Sequence, residues 1–67
     1  MKPHWDDAPT WANYLSWDEA GDGGSAYKWH ENEPALGVTV PRWSSEGRYM
    51  IAYPAPRHKT GYEGRPD

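Results

Sequence analysis

Hydrophobic and polar positions alternate most regularly over residues 13–18 (NYLSWD) and 26–31 (AYKWHE), on either side of the loop AGDGGS at residues 20–25. Clustered Gly and Asp supply positive φ at little cost and interrupt any helix. Two aromatic, alternating runs flanking such a loop predict a β-hairpin. Setting Asp18 opposite Ala26 puts Trp17 opposite Tyr27 and Leu15 opposite Trp29. That register gathers Leu15, Trp17, Tyr27 and Trp29 on one face and leaves Tyr14, Ser16, Lys28 and His30 on the other. A slip of one residue would mix the two sets, so the pattern itself selects the register. Aromatic cross-strand pairs add roughly 0.2–1 kcal/mol each. A lone hairpin is marginal in water, so the rest of the chain must cover the aromatic face.

The flanking segments carry weaker patterns. Pro3, Pro9 and the acidic pair Asp6-Asp7 mark residues 1–9 as an arm, with Trp5 docked onto the core. Asp7 as a cap, with Pro9 in the first turn, predicts one helical turn that lays Trp11 over the hairpin. Pro34 and Gly37 mark a break after the hairpin. Residues 38–43 (VTVPRW) predict a strand that Pro41 confines to an edge or an irregular course. Residues 44–47 form a turn, and residues 48–53 (RYMIAY) a further strand. In that strand Tyr49, Ile51 and Tyr53 share one face, and Met50 and Ala52 the other. A strand apolar on both faces is expected at the centre of a sheet or against another chain. Residues 54–67, rich in Pro and Gly, predict a mobile or extended tail that Tyr62 could anchor. The expected fold is all-β, or β-rich with one short helical turn. It is a three- to four-stranded antiparallel sheet of hairpins with a Trp/Tyr-rich core, a single domain over residues 10–53 between arm and tail.

Composition tightens this picture. The 67 residues hold five Trp, five Tyr, no Phe and no Cys. So short a chain builds one small core. Without cysteine it has neither a disulfide staple nor a thiolate metal site. Its stability margin is thin, and a partner chain, identical or not, would widen it. The net charge is −3, which weighs against nucleic acid as a partner. Residues 1–33 carry two lysines against seven carboxylates, whereas residues 34–67 carry five basic side chains against three acidic ones. Such a division produces attraction within the chain, or an acidic surface that steers a basic partner. No apolar stretch approaches the roughly 20 residues of a membrane span, and the first residues lack the apolar region of a signal peptide. The expected place of action is the cytoplasm, without secretion or membrane association.

Candidate chemistry is sparse. His4, His30 and His58 have no ligand spacing between them, so His30 is expected as a partly exposed strand residue. The acidic loop 18–24 lacks the spacing and closing Glu of a calcium loop. No serine has a histidine near it in sequence, and no Gly-rich phosphate motif precedes a helix. No enzyme activity, metal or cofactor is expected. Trp and Tyr with Arg42, Arg48 and Arg57 could stack single-stranded bases. The order Trp17, Tyr27, His30, Trp43 is loosely similar to a WW-type peptide-binding meander, with different loop lengths.

One further pattern spans residues 8–52. It runs Ala8-Pro9-x-Trp11-Ala12-x-Tyr14-Leu15, then Asp18, a Gly turn, Tyr27-x-Trp29-x-Glu31-x-x-Pro34, then Trp43, a turn and Gly47-Arg48. It resembles a set of small tryptophan-rich proteins encoded by tailed bacteriophages and prophages, mostly of unknown function. The chain departs from that pattern at Gly24-Ser25, where another aromatic would follow the turn. The resemblance implies an accessory protein acting inside a bacterial host, and it carries no catalytic residues. Trp, Tyr and Arg are the side chains that carry interface energy. The expected function is therefore non-enzymatic binding of a host protein, to inhibit or redirect a host enzyme or defence system. The expected contact surface is Tyr14, Lys28, His30 and Met50, with Trp43 and Arg48 at the far turn. The alternatives are a single-stranded nucleic-acid binder that uses Trp43, Tyr49 and the arginines, or a self-assembling virion component.

Overall fold

The structure is a computed structural model, described for residues 3–17, 26–37, 43–52 and 60–66. The hairpin loop, the body of the strand expected at 38–43, Tyr53 and His58 lie outside the described residues. The alternating runs form strands β1 (Tyr14–Trp17) and β2 (Lys28–His30), paired antiparallel. Leu15 faces Trp29 and Ser16 faces Lys28, the register that the aromatic pattern requires.

These two strands are the centre of a four-stranded antiparallel sheet. Strand β5 (Tyr49–Ile51) borders β2, and β6 (Gly61–Gly64) borders β1, giving the order β5-β2-β1-β6. A separate two-stranded ribbon pairs β3 (Ala35–Leu36) with β4 (Trp43–Ser44). The fold is thus β-rich, and its described helical content is a single turn of 3-10 helix.

The aromatic face is the core. Leu15, Tyr27, Trp29 and Ala12 are buried, with Trp5, Ala8, Trp11, Trp17 and Ala52 packed against them. Trp5 meets Trp29 edge to face at 4.9 Å between ring centroids. Such pairs add about 0.5–1.5 kcal/mol beyond the area they bury.

Several local expectations are corrected. The 3-10 turn lies at Trp5–Asp7, three residues earlier than an Asp7 cap would place it, and the expected turn at Trp11 is a single hydrogen-bonded turn in which the Ala12 amide donates to the Pro9 carbonyl at 3.0 Å. His4 caps the 3-10 turn, its Nδ1 accepting from the Asp6 amide at 3.1 Å. Ala8, which precedes Pro9, is extended at φ −70° and ψ 146°. A residue before proline is kept out of the helical region by the pyrrolidine ring, so the turn must end there. The segment read as a break after Pro34 contains the short strand β3. Strand β5 is an edge rather than a centre, with Tyr49, Met50 and Ile51 all exposed. The described end of the segment expected as a mobile or extended tail is extended and anchored by Tyr62. Beyond that expectation it forms β6, which pairs with β1 from Tyr14↔Gly64 to Trp17↔Gly61. Ladder bonds come from the backbone and need no apolar alternation. Gly61 suits the position because a Cβ there would sit 3.2 Å from the Trp17 indole.

Candidate functional site

The second face of the sheet is where sequence placed the contact surface. Its centre is not free. Ser16 and His30 are completely buried, at 0% and 1% exposure, although neither is apolar. The Ser16 hydroxyl lies 2.7 Å from His30 Nε2, and the Ser45 hydroxyl 2.8 Å from His30 Nδ1. Ser45 follows β4, so this three-residue chain bonds the ribbon side of the fold to the sheet. A neutral imidazole donates from one nitrogen and accepts at the other, and hydroxyls take either part, so all the ring's capacity is satisfied. The expectation of a partly exposed His30 fails because the β4 turn closes over it. Alternation in one hairpin carries no information about a cover built fifteen residues away.

Burial, followed by the nearby Lys28 cation, lowers the His30 pKa from 6.5 to about 4. The ring is therefore neutral at pH 7. Serine beside histidine invites comparison with a nucleophile and its base, a pairing that sequence spacing did not suggest. An imidazole of such low basicity draws a proton from a hydroxyl poorly. Its second nitrogen meets another hydroxyl, which offers no charge to stabilise an imidazolium. The chain of bonds is suited to joining two layers rather than to moving protons.

Beside this seam lies a cleft of about 260 Å³ lined by Lys28, His30, Trp43, Ser44, Ser45 and Tyr49. Lys28 Nζ donates to the Trp43 carbonyl at 3.3 Å. The Trp43 indole N–H donates to the Trp17 carbonyl at 2.8 Å, and its ring meets Tyr62 at 5.2 Å. Trp43 is thus half-embedded, with its orientation fixed.

Of the six residues expected to share a surface, Lys28, His30 and Trp43 meet at this cleft. Tyr14 is half-buried, 6.1 Å from the Tyr62 ring and on the β6 side of the sheet. Met50 pairs with Trp29 and so points to the aromatic face. Arg48 donates to Glu31 at 2.9 Å and lies over Trp11 at 5.2 Å. Its side-chain and backbone bonds hold the Glu31 carboxyl below its usual range. The turn before Arg48 needs glycine, since Gly47 has φ +82° and a Cβ there would sit 2.6 Å from Glu31 Oε1.

Strand β5 is exposed along its length, as is β3 of the ribbon. Tyr49, Met50 and Ile51 are 61%, 44% and 59% exposed. The Ala52 amide donates to the Tyr27 carbonyl, and the Glu31 amide to the Arg48 carbonyl. Residues 48, 50 and 52 therefore turn their backbone groups toward β2, whereas Tyr49 and Ile51 turn theirs outward. Those outward groups meet no partner among the described residues. Sequence reasoning omitted Ile51 from the surface, although a strand apolar on both faces was the signal for it.

Among the described residues, no group of three or more His, Asp or Glu could hold a metal ion. No described helix is long and apolar enough to cross a membrane. No family model, curated protein or solved structure matches the chain.

Proposed function

We propose that this chain is a non-enzymatic accessory protein that binds another protein by strand addition along β5, with a partner side chain entering the adjoining cleft. The observation that carries the reading is the β5 edge. It combines outward backbone groups at Tyr49 and Ile51 with three exposed apolar side chains. Strand addition draws affinity from such backbone groups and specificity from neighbouring pockets. The cleft lies on the same side of the sheet as Tyr49, which faces His30 across the ladder. Edges normally carry charge, proline or a bulge that discourages pairing, and Tyr49-Met50-Ile51 carries none of these. The phage resemblance supports a bacterial host protein as the partner and the host cytoplasm as the place. Binding there would inhibit or redirect the host protein. Single-stranded nucleic acid is less well served. The Trp43 ring is engaged by Tyr62, and Arg48 is neutralised by Glu31, so neither is a free stacking or phosphate-binding group.

The test is affinity capture from nuclease-treated bacterial lysate with the tagged chain, using a Tyr49→Lys, Ile51→Lys double variant as control. The expected result is one stoichiometric protein, lost with the variant. Capture that vanishes only on nuclease treatment, or that survives the variant unchanged, overturns the reading.

A further inference from the structure

The same edge has a second property that follows from its symmetry. We propose that β5 pairs with β5 of a second copy of this chain, antiparallel, about a two-fold axis at Met50. The inference rests on β5 being an open pairing edge, as in the protein-binding reading, but not on the existence of a host partner.

The register follows from the backbone. Within β5, Tyr49 and Ile51 turn their amide and carbonyl groups outward. Centring the two-fold on Met50 sets Tyr49 opposite Ile51 of the second copy, twice. Each such pair exchanges both of its N–H···O=C bonds, so every outward group of β5 is used. Centring on Tyr49 would set Ile51 against Gly47, whose φ of +82° has already left the strand. Side chains agree with the Met50 register. Tyr opposite Ile is a favourable aromatic–β-branched pair. Arg48 falls opposite Ala52, so no like charges meet. The two Met50 side chains touch across the axis, and methionine adapts to irregular contacts. The product is one continuous sheet in the order β6-β1-β2-β5-β5-β2-β1-β6.

The interface is small. Three exposed residues per copy bury less than the roughly 1,000 Å² that marks a stable interface. The dimer is therefore weak and reversible, and an extended segment of another protein would displace it from the same edge.

The chain has no cysteine, so a single introduced thiol reports the register directly. Met50 sits opposite its own copy in a closely spaced pair at about 4.5 Å between Cα atoms. That is within disulfide reach, whereas Tyr49 and Ile51 lie more than about 7 Å from their own copies. The experiment compares Met50→Cys, Tyr49→Cys and Ile51→Cys under mild air oxidation, with near-ultraviolet circular dichroism to verify the fold. Sedimentation equilibrium of the unaltered chain, up to about 1 mM given the weak interface, accompanies it. The expected result is a concentration-dependent dimer, with Met50→Cys forming covalent dimer at least about tenfold faster than the other two, as its reach predicts. A chain that stays monomeric throughout, or three thiols that cross-link at equal rates, overturns the proposal. A monomeric chain that still captures a host protein through Tyr49 and Ile51 would overturn self-pairing and leave the binding reading intact. A dimer that captures nothing would do the reverse.

Discussion

The two edges of the sheet border the same central hairpin but are held in opposite ways. Strand β6 comes from a segment of glycine, charge and proline, yet it is fastened by side chains along its length. The Trp5 indole N–H donates to Glu63 at 2.6 Å. Arg65 donates to the Thr10 and Ala12 carbonyls and lies over the Trp5 ring. Tyr62 packs on Trp43 and Tyr14, and its hydroxyl donates to Glu33. Strand β5 is built of Tyr, Met and Ile, yet those side chains remain exposed on both faces, and its described attachment is the backbone ladder to β2. Apolar content therefore does not tell which edge strand is fastened to the fold by side chains. Anchoring side chains reaching in from elsewhere in the chain do.

Deletion of residues 60–67 should have the largest effect. It removes β6 together with the partners of Trp5, Tyr14 and Trp43. A domain this small has little reserve, so the truncated chain should show no cooperative urea transition. A truncated chain with an unchanged transition would make β6 a bystander and erase the contrast. Trp5→Ala comes next, at about 3 kcal/mol, near the low end for large aromatics because the ring is half-buried. Trp5→Phe should recover the contact with Trp29 but not the bond to Glu63, so urea denaturation should place it between the two.

The contrast also explains what could be read in advance. The hairpin register was legible because Leu15, Trp17, Tyr27 and Trp29 alternate with polar neighbours and no other register keeps them together. The exposure of β5 was half-legible, since Tyr49-Met50-Ile51 announced either a centre or a partner without deciding between them. Strand β6 was hidden because Gly61 and Gly64 join the ladder through backbone and close approach, which leave no hydrophobic pattern. The seam was hidden for a different reason. Ser16 and Ser45 are each unremarkable in sequence, and only tertiary closure brings them to the two nitrogens of His30.

Acid tests the centre that the two edges share. The His30 pKa is lowered from 6.5 to about 4 in the folded chain. The unfolded chain thus takes up this proton first as pH falls. The stability contribution is whole above about pH 6.5 and is lost progressively toward about pH 4. Glu31, held below 4.5 by Arg48, adds its own loss only at the acid end of that window. Melting temperature should be flat from pH 7 to the onset of titration of Tyr62, whose hydroxyl the Glu33 bond pushes above its ordinary 10.0. It should fall between pH 6.5 and 5, and His30→Gln should flatten that fall. Trp5→Ala should melt lower but keep the same pH slope, because the clamp on β6 and the seam are separate. Loss of the slope with Trp5→Ala would show that the edges and centre act as one unit.

The smallest effects should come from β5. Tyr49→Ala and Ile51→Ala remove side chains that are already more than half exposed, and they leave the ladder to β2 in place. Each should change folding stability by less than about 0.5 kcal/mol, the usual range for surface positions. In a domain of this size that is within about 4 °C in melting temperature. Dilute solution is the proper condition for the measurement, because a self-paired edge would be partly covered at high concentration. A cost near that of Trp5→Ala in dilute solution would mean that β5 is as firmly packed as β6, and the contrast would collapse. A cost that grows with protein concentration would instead locate the missing contacts in the second copy. Ligand linkage requires this, since whatever binds only the folded chain stabilises it in proportion to occupancy. The same substitutions that scarcely affect folding should then weaken association, as expected of an edge whose side chains contribute little within the chain and most across it.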